Sequence, residues 1–369
     1  MKILVTGAKG FIGKNLISEL HNQSFLDIYE YDRDTSEDLL EEYCRQADIV
    51  FHLAGVNRPK NESEFLEGNF GFTSVLINLL QKNHNSCPII LSSSIQALLD
   101  NPYGLSKKAG EDALLTYGKQ TGSKILIYRL PNVFGKWCRP NYNSVIATFC
   151  NNIANKIDIN VNCYETELNL VYIDDVIKGF ISNLYLYPNL TSGYYDIPVV
   201  YKANLRTIVD LLYSFESFHE NLLIPDMSND FTKKLYSTYL SYLPVSRFKY
   251  SIKTNVDQRG SFTELFKSST NGQVSVNITK PGVIKGNHWH NTKNEKFVVV
   301  GGNGVIRFRK VSESDIHECF VSADKIEIVD IPCGYIHNIE NLGMTDLIVI
   351  MWSNECFDIN HPDTFYEEI

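Results

Sequence analysis

The sequence predicts an α/β doubly wound parallel sheet followed by an all-β jelly roll. Three observations carry this expectation. A short apolar strand near the N-terminus runs into a glycine turn and then an amphipathic helix. Further short apolar runs alternate with helical stretches through the first half of the chain, the pattern of parallel strands joined by crossover helices. Near residue 250 the pattern changes to short strands punctuated by Gly, Pro and Asn, as in an antiparallel sandwich or barrel.

With 369 residues the chain is too long for one typical domain, so two or three are expected. Hydrophobic residues at 44% and charged residues at 21% suit a soluble globular protein with a core of normal size in each domain. A net charge of −9 argues against binding a nucleic-acid polymer, which needs a basic face, but leaves room for a local nucleotide pocket. No run of 18 apolar residues occurs, so no membrane span is expected. Met1-Lys2-Ile3-Leu4-Val5 opens a strand at once, unlike a signal peptide, and a cytoplasmic location follows as an expectation. The eight cysteines have irregular spacing and form no C-x-x-C pair, which predicts reduced, buried thiols.

The first strand, Lys2 to Thr6, leads into Gly7-Ala8-Lys9-Gly10-Phe11-Ile12-Gly13 and a helical stretch from Lys14 to Leu20. Gly7 permits a tight turn, Gly10 lets the backbone approach a pyrophosphate, and Gly13 lets the helix pack close to the strand. The helix N-terminus then faces the phosphate charge. The G-x-x-G-x-x-G spacing is weak alone and gains from its context. A second strand, Asp27 to Tyr31, ends in Asp32, placed to meet an adenosine ribose. Arg33 can pair with a 2′-phosphate, which favours NADPH; a solvated surface Arg is the ordinary alternative. A third strand, Asp48 to Leu53, runs into Ala54-Gly55, and a fourth, Pro88 to Leu91, into Ser92-Ser93-Ser94. Nine residues after Ser94 comes Tyr103, with Lys107 four further along on the same helix face. An ammonium beside a phenol lowers the phenol pKa and makes it a usable proton donor or acceptor. A lone Y-x-x-x-K is usually a surface pair; following a glycine turn and a serine-bearing strand end, it reads as a site.

In the C-terminal part, strands are expected at Gln273 to Ile278, Lys296 to Val300, Val305 to Arg309, Lys325 to Ile331 and Asp346 to Trp352. Among them lie Gly282, His288-Trp289-His290, Glu295, Gly302 and Pro332-Cys333-Gly334-Tyr335-Ile336-His337. His288 and His290 are two apart and share a strand face, Glu295 opens the next strand, and His337 comes from elsewhere in the fold. Imidazoles with one carboxylate suit Zn²⁺ or another divalent transition metal rather than Ca²⁺ or Mg²⁺.

Residues 1–243 resemble an extended short-chain dehydrogenase/reductase acting on nucleotide sugars. The matching pieces include the glycine turn, His52-Leu53-Ala54-Gly55, Asn69, Ser92-Ser93-Ser94, Tyr103-x-x-x-Lys107, Arg129-Leu130-Pro131-Asn132-Val133-Phe134-Gly135 and Val171-Tyr172-Ile173-Asp174-Asp175-Val176. The resemblance implies that Ser94, Tyr103 and Lys107 are catalytic, and that Gly7, Lys9, Gly10, Phe11, Ile12, Gly13, Asp32, Arg33, Leu53, Ala54, Gly55 and Asn69, together with Tyr103 and Lys107, bind the cofactor. It implies sugar-nucleotide contacts from Asn132, Trp137, Arg139 and Asn141. The segment between Ser94 and Tyr103 lacks the valine-tyrosine-glycine stretch usual after the serines, which leaves Ser93 as an alternative hydroxyl.

After a linker at 244–252, residues 253–369 resemble a cupin with both signature motifs intact, which implies that His288, His290, Glu295 and His337 bind a metal. The Asp257-x-Arg259-Gly260 opening is similar to deoxysugar 3- and 3,5-epimerases, which ordinarily work without one. End to end the chain resembles a family of bifunctional enzymes of bacterial capsular polysaccharide synthesis. That resemblance implies C3 epimerisation of a UDP-4-keto-6-deoxy-N-acetylhexosamine by the cupin and NADPH reduction at C4 by the first domain, in a homodimer. The alternatives are a reductase or 4-epimerase whose cupin only binds sugar or dimerises.

Overall fold

The computed structural model describes residues 1–369 and resolves into two compact units. The first comprises Met1–Leu212 with Lys234–Leu243, the second Tyr213–Lys233 with Pro244–Ile369. The units therefore interleave in sequence, in contrast to a linear division at residue 243. Backbone pairing explains the segment that groups with the second unit: Lys267 N–H donates to the Leu222 carbonyl (2.7 Å) and Ile224 N–H to the Lys267 carbonyl (2.8 Å).

In the first unit six parallel strands stand in the order Ile28–Tyr31, Ile3–Thr6, Ile49–His52, Ile89–Ser94, Ile125–Leu130, Gly193–Tyr195. The N-terminal strand lies between the second and third, so the winding reverses there and opens a crevice at the strands' C-terminal ends. Alternate side chains feed two cores. Ile3, Val5, Ile49, Phe51 and Ile90 join Leu16, Leu20 and Phe180 on one face. Leu4, Val50, Ile89 and Leu91 join Leu40, Leu76, Leu80 and Leu114 on the other. Burial on both faces is why these strands read as continuous apolar runs. The helix Pro102–Thr121 starts where the Asn101 side chain accepts the Gly104 N–H (2.8 Å), with proline in its first turn, and ends at left-handed Gly122.

The second unit packs two antiparallel sheets. One has the order Thr254–Asp257, Gly260–Ser268, Gly272–Thr279, Leu347–Ser353, Glu295–Gly301, Ile328–Ile331. The other has the order Ile316–Ser322, Asn303–Lys310, Tyr335–Asn341, Ile284–Trp289, Phe365–Tyr366. Phe297, Val299, Ile306, Ile339, Leu347 and Val349 form the core between them, the expected jelly-roll arrangement. All eight cysteines are free; Cys44, Cys87, Cys138 and Cys150 are buried, but Cys163 and Cys319 are exposed, against the expectation of uniform burial.

Candidate functional site

The glycine turn sits at the reversal point of the parallel sheet. Gly7 has φ +71°, and a Cβ there would lie 2.8 Å from the Ala54 nitrogen, so only glycine fits between the turn and the loop after the third strand. A Cβ on Gly13 would approach the Gly7 carbonyl to 2.3 Å, which is how close the first turn of Phe11–Asn22 packs. Gly10 precedes the helix as its N-terminal cap and Phe11 and Ile12 open it, while Gly7 meets the loop at Ala54 and Leu53 packs against the core. The Asp32 carboxylate accepts the backbone N–H of Lys9 (2.8 Å) and of Arg33 (2.8 Å), and so ties the end of the second strand to the turn. The Lys9 ammonium pairs with Asp34, and Arg33 is exposed at the crevice rim.

The three serines separate by strand alternation. Ser93 points into the protein and donates to fully buried Glu111 (2.5 Å), whose carboxylate also takes a forked pair from Arg129 (3.0 and 2.6 Å). Ser94 lies on the other strand face, half-buried, where its hydroxyl accepts the Gln96 N–H (3.2 Å) and is close enough to the Tyr103 phenol to oppose the upward shift of its pKa. Lys107 is buried, and its ammonium donates to the Ser92 carbonyl (2.9 Å). Ser94 and Tyr103 therefore meet at one strand end, and Lys107 lies one helical turn beyond Tyr103. Burial lowers the Lys107 pKa to about 8 against the opposing charge of Glu111. The Tyr103 phenol is raised, chiefly by burial, with Ser94 opposing. The expected lowering of Tyr103 by Lys107 is not met, because burial dominates the phenol.

Asn69, by contrast, is fully engaged. Its amide nitrogen donates to the Val56 carbonyl (3.0 Å) and the Ser106 hydroxyl (2.9 Å), and its oxygen accepts the Val56 N–H (3.0 Å). It clamps the Gly55–Val56 loop to the helix bearing Tyr103. Next to it lies a network that the motifs did not reveal. Thr73 donates to the Asn69 carbonyl (2.6 Å), so it accepts from Nε2–H of buried His52 (2.9 Å), and His52 Nδ1 accepts from the Thr6 hydroxyl (2.8 Å). Asn132, Trp137, Arg139 and Asn141 line an exposed stretch after the fifth parallel strand. Asn132 donates to the Asn169 carbonyl (3.2 Å), Arg139 lies over the Tyr142 ring (5.4 Å), and Trp137 and Asn141 have φ of +69° and +54°. Two non-glycine residues in the left-handed region mark a sharply shaped loop.

In the second unit His288, His290, Glu295 and His337 converge, with one ligand atom of each within 4.8 Å of the others. His288 lies near the end of Ile284–Trp289 and His290 directly after it, Glu295 opens its strand as expected, and His337 arrives on Tyr335–Asn341, directly opposite His288. His290 Nδ1 donates to the Asp363 carbonyl, and His337 Nδ1 to the Tyr335 carbonyl (3.3 Å). A carbonyl only accepts, so each Nδ1 carries the proton and each Nε2 presents a lone pair. Those two Nε2 atoms face Glu295 Oε2 at 3.5 and 3.4 Å, and all three atoms are buried without a hydrogen-bond partner. Lys293 holds the other Glu295 oxygen (3.1 Å). Burial, then the neighbouring imidazoles, lower the His288 pKa to about 4. Converging acceptors with no donor between them fit a cation.

The fold defines a dinucleotide-binding, Rossmann-type enzyme of the short-chain dehydrogenase/reductase class followed by a cupin-like sandwich. The family model "NAD dependent epimerase/dehydratase family" matches residues 3–187, and "Polysaccharide biosynthesis C-terminal domain" matches residues 255–365. The chain belongs to the NAD dependent epimerase/dehydratase family. Over its full length it is similar to the capsular polysaccharide assembling protein CapF from Staphylococcus aureus, at 52% identity, with 100% of both chains covered and a TM-score of 0.94. It is 41% identical to the UDP-2-acetamido-2,6-beta-L-arabino-hexul-4-ose reductase of Pseudomonas aeruginosa, covering 99% of this chain and 98% of that protein. It is also 27% identical to the dTDP-4-dehydro-6-deoxyglucose reductase of Escherichia coli, over 49% of this chain and 72% of that protein.

Proposed function

We propose that the chain is a bifunctional UDP-sugar enzyme of capsular polysaccharide precursor synthesis. In this reading the C-terminal unit epimerises C3 of a UDP-4-keto-6-deoxy-N-acetylhexosamine. The N-terminal unit then reduces C4 to give UDP-2-acetamido-2,6-dideoxy-L-talose. The observation that carries the reading is the full-length likeness to a reductase named for a UDP-4-ulose and to CapF. Bound NADPH supplies the hydride to C4. Tyr103 gives its phenolic proton to the C4 oxygen, which suits a phenol held protonated by burial. Ser94 hydrogen-bonds the same oxygen, and Lys107 supports the phenol and the cofactor ribose. Gly7, Lys9, Gly10, Phe11, Ile12, Gly13, Leu53, Ala54 and Gly55 hold the dinucleotide, with Asp32 and Arg33 at its adenosine end and Asn69 positioning the loop. Asn132, Trp137, Arg139 and Asn141 contact the nucleotide sugar.

His288, His290, Glu295 and His337 hold one divalent transition metal, assigned as Zn²⁺ from the mixed nitrogen and oxygen set. When bound, the ion supplies a fixed positive charge that joins two hairpins of the sandwich. The C3 hydrogen is acidic because its departing electrons spread onto the C4 oxygen; a base removes it and the opposite face is reprotonated. An outward apolar stripe on the first sheet, Val276, Ile350, Val274 and Trp352, supports a homodimer. No helix is long and apolar enough to cross a membrane. The test is incubation with the UDP-4-keto sugar in D₂O, with and without NADPH. Deuterium at C3 without reductant and a C4 alcohol with it are expected. Reduction without any C3 exchange would leave a simple reductase.

A further inference from the structure

The four residues of the cluster are joined by a fifth segment that no motif marks. The C-terminal residues 363–368 cross the outside of the site and touch two of its imidazole-bearing positions separately. Asp363 is the anchor. Its carboxylate accepts backbone N–H groups from Asn291 (2.9 Å), Thr292 (2.7 Å) and Lys293 (2.9 Å), and the Thr292 hydroxyl (3.1 Å). With its side chain fixed in this way, the Asp363 carbonyl is held against His290 Nδ1. Two residues later the tail becomes a strand: Phe365 pairs with Trp289, Tyr366 with His288, and Glu367 N–H donates to the Asn287 carbonyl (3.0 Å). Arg309 fastens the far end through the Glu367 carboxylate (3.0 Å) and the Glu368 carbonyl (2.9 Å).

We infer that this tail is a strap that presents the imidazoles to the metal, with Asp363 the positioning residue for His290. The chemistry is specific. A carbonyl at Nδ1 selects the Nδ1–H tautomer, which leaves Nε2 bare and aimed into the cluster. Without that acceptor His290 adopts either tautomer, and one of them places a proton where a cation would sit. The inference rests on the metal reading above and is tested apart from it. Its readouts are binding and tautomer rather than turnover.

Zn²⁺ affinity is measured by competition with a chelating dye for the unaltered chain, Asp363→Asn and Asp363→Ala. The His290 tautomer is read by ¹⁵N NMR in the metal-free forms. Loss of an outer partner of a metal-binding His typically weakens affinity about 10–100-fold. That loss is expected for Asp363→Ala, with Asp363→Asn between, since the amide keeps one acceptor oxygen. The metal-free unaltered chain should show His290 as the Nδ1–H tautomer, and Asp363→Ala a mixture. If Asp363→Ala does not fold, Asp363→Asn decides the matter by the same two readings. Equal Zn²⁺ affinity in all three chains overturns the strap and leaves the metal site standing. Weaker affinity with an unchanged tautomer overturns it as well, because the tail would then only stabilise the fold. An unaltered chain that binds no Zn²⁺ overturns both readings.

Discussion

Ser93 and Ser94 are adjacent and chemically identical, yet the structure gives them different work. Ser93 completes the buried Glu111–Arg129 pair, and Ser94 faces Tyr103. Ser94→Ala should therefore slow reduction with little change in melting temperature. Ser93→Ala should do the reverse, costing about 1.5–3 kcal/mol for a hydrogen bond to a charged group. Paired thermal melts and NADPH oxidation rates check this, and a large rate loss in Ser93→Ala with Ser94→Ala active would reverse the assignment. Tyr103→Phe should lower the reduction rate by about 10²–10⁴-fold, the usual contribution of a general acid, while C3 exchange continues. The motif gave the Tyr–Lys pair at sight. The serine assignment follows only from strand phase: Leu91 lies on the face of Glu111, so Ser93 does too. Glu111 itself is four residues past Lys107 on the same helix, a spacing that could have flagged it. Asp363 carried no such signal, being 73 residues from His290.

At the scale of elements, the parallel strands were legible because both faces are apolar, whereas the sandwich was legible only in part: some strands, Gln273 to Ile278 among them, but not the face each one buries. Gly272–Thr279 buries Gln273, Ser275, Asn277 and Thr279 and leaves Val274, Val276 and Ile278 half-exposed. Its polar residues face inward, so alternation alone would select the wrong side. Ile284–Trp289 and Tyr335–Asn341, which bring the imidazoles, escaped the pattern for a related reason. A register shift between Gly286 and His288 breaks the period, and His337 and Asn341 are buried polar residues. The His52 network makes a testable contribution in the first unit, joining three elements through one buried imidazole. Burial, and then the Lys107 charge, lower its pKa to about 3. The unfolded chain takes up this proton near the ordinary value of about 6.5, so it binds more protons at lower pH. The stability from neutral His52 is complete above that value and is lost as pH falls toward 3. His52→Gln should remove up to about 1.4 kcal/mol per pH unit from the acid slope of stability in this window. Urea melts at several pH values measure the slope. Identical slopes would show that His52 is already protonated in the fold.

For the whole molecule, the two chemistries of the proposed function constrain one another through a single carbonyl. The C3 hydrogen is acidic only while C4 is a ketone, since an alcohol offers no oxygen to take up the charge. Epimerisation must precede reduction, and reduction then traps the new configuration. Each half of this sequence is ordinary alone; in the proposed function, their joining in one chain makes the order consequential. The reverse direction tests the link. The finished talose derivative, incubated with the protein in D₂O, should take up no deuterium at C3. Addition of NADP⁺ should start exchange, because hydride leaves C4 for the cofactor, Tyr103 accepts the hydroxyl proton, and the regenerated ketone acidifies C3. Tyr103→Phe should abolish this cofactor-dependent exchange yet leave exchange from the 4-keto sugar intact. Mass spectrometry of the recovered sugar nucleotide reads both outcomes. Exchange from the alcohol without NADP⁺ would mean that C3 is activated by some other route, and the ordered pairing of the two sites would be abandoned.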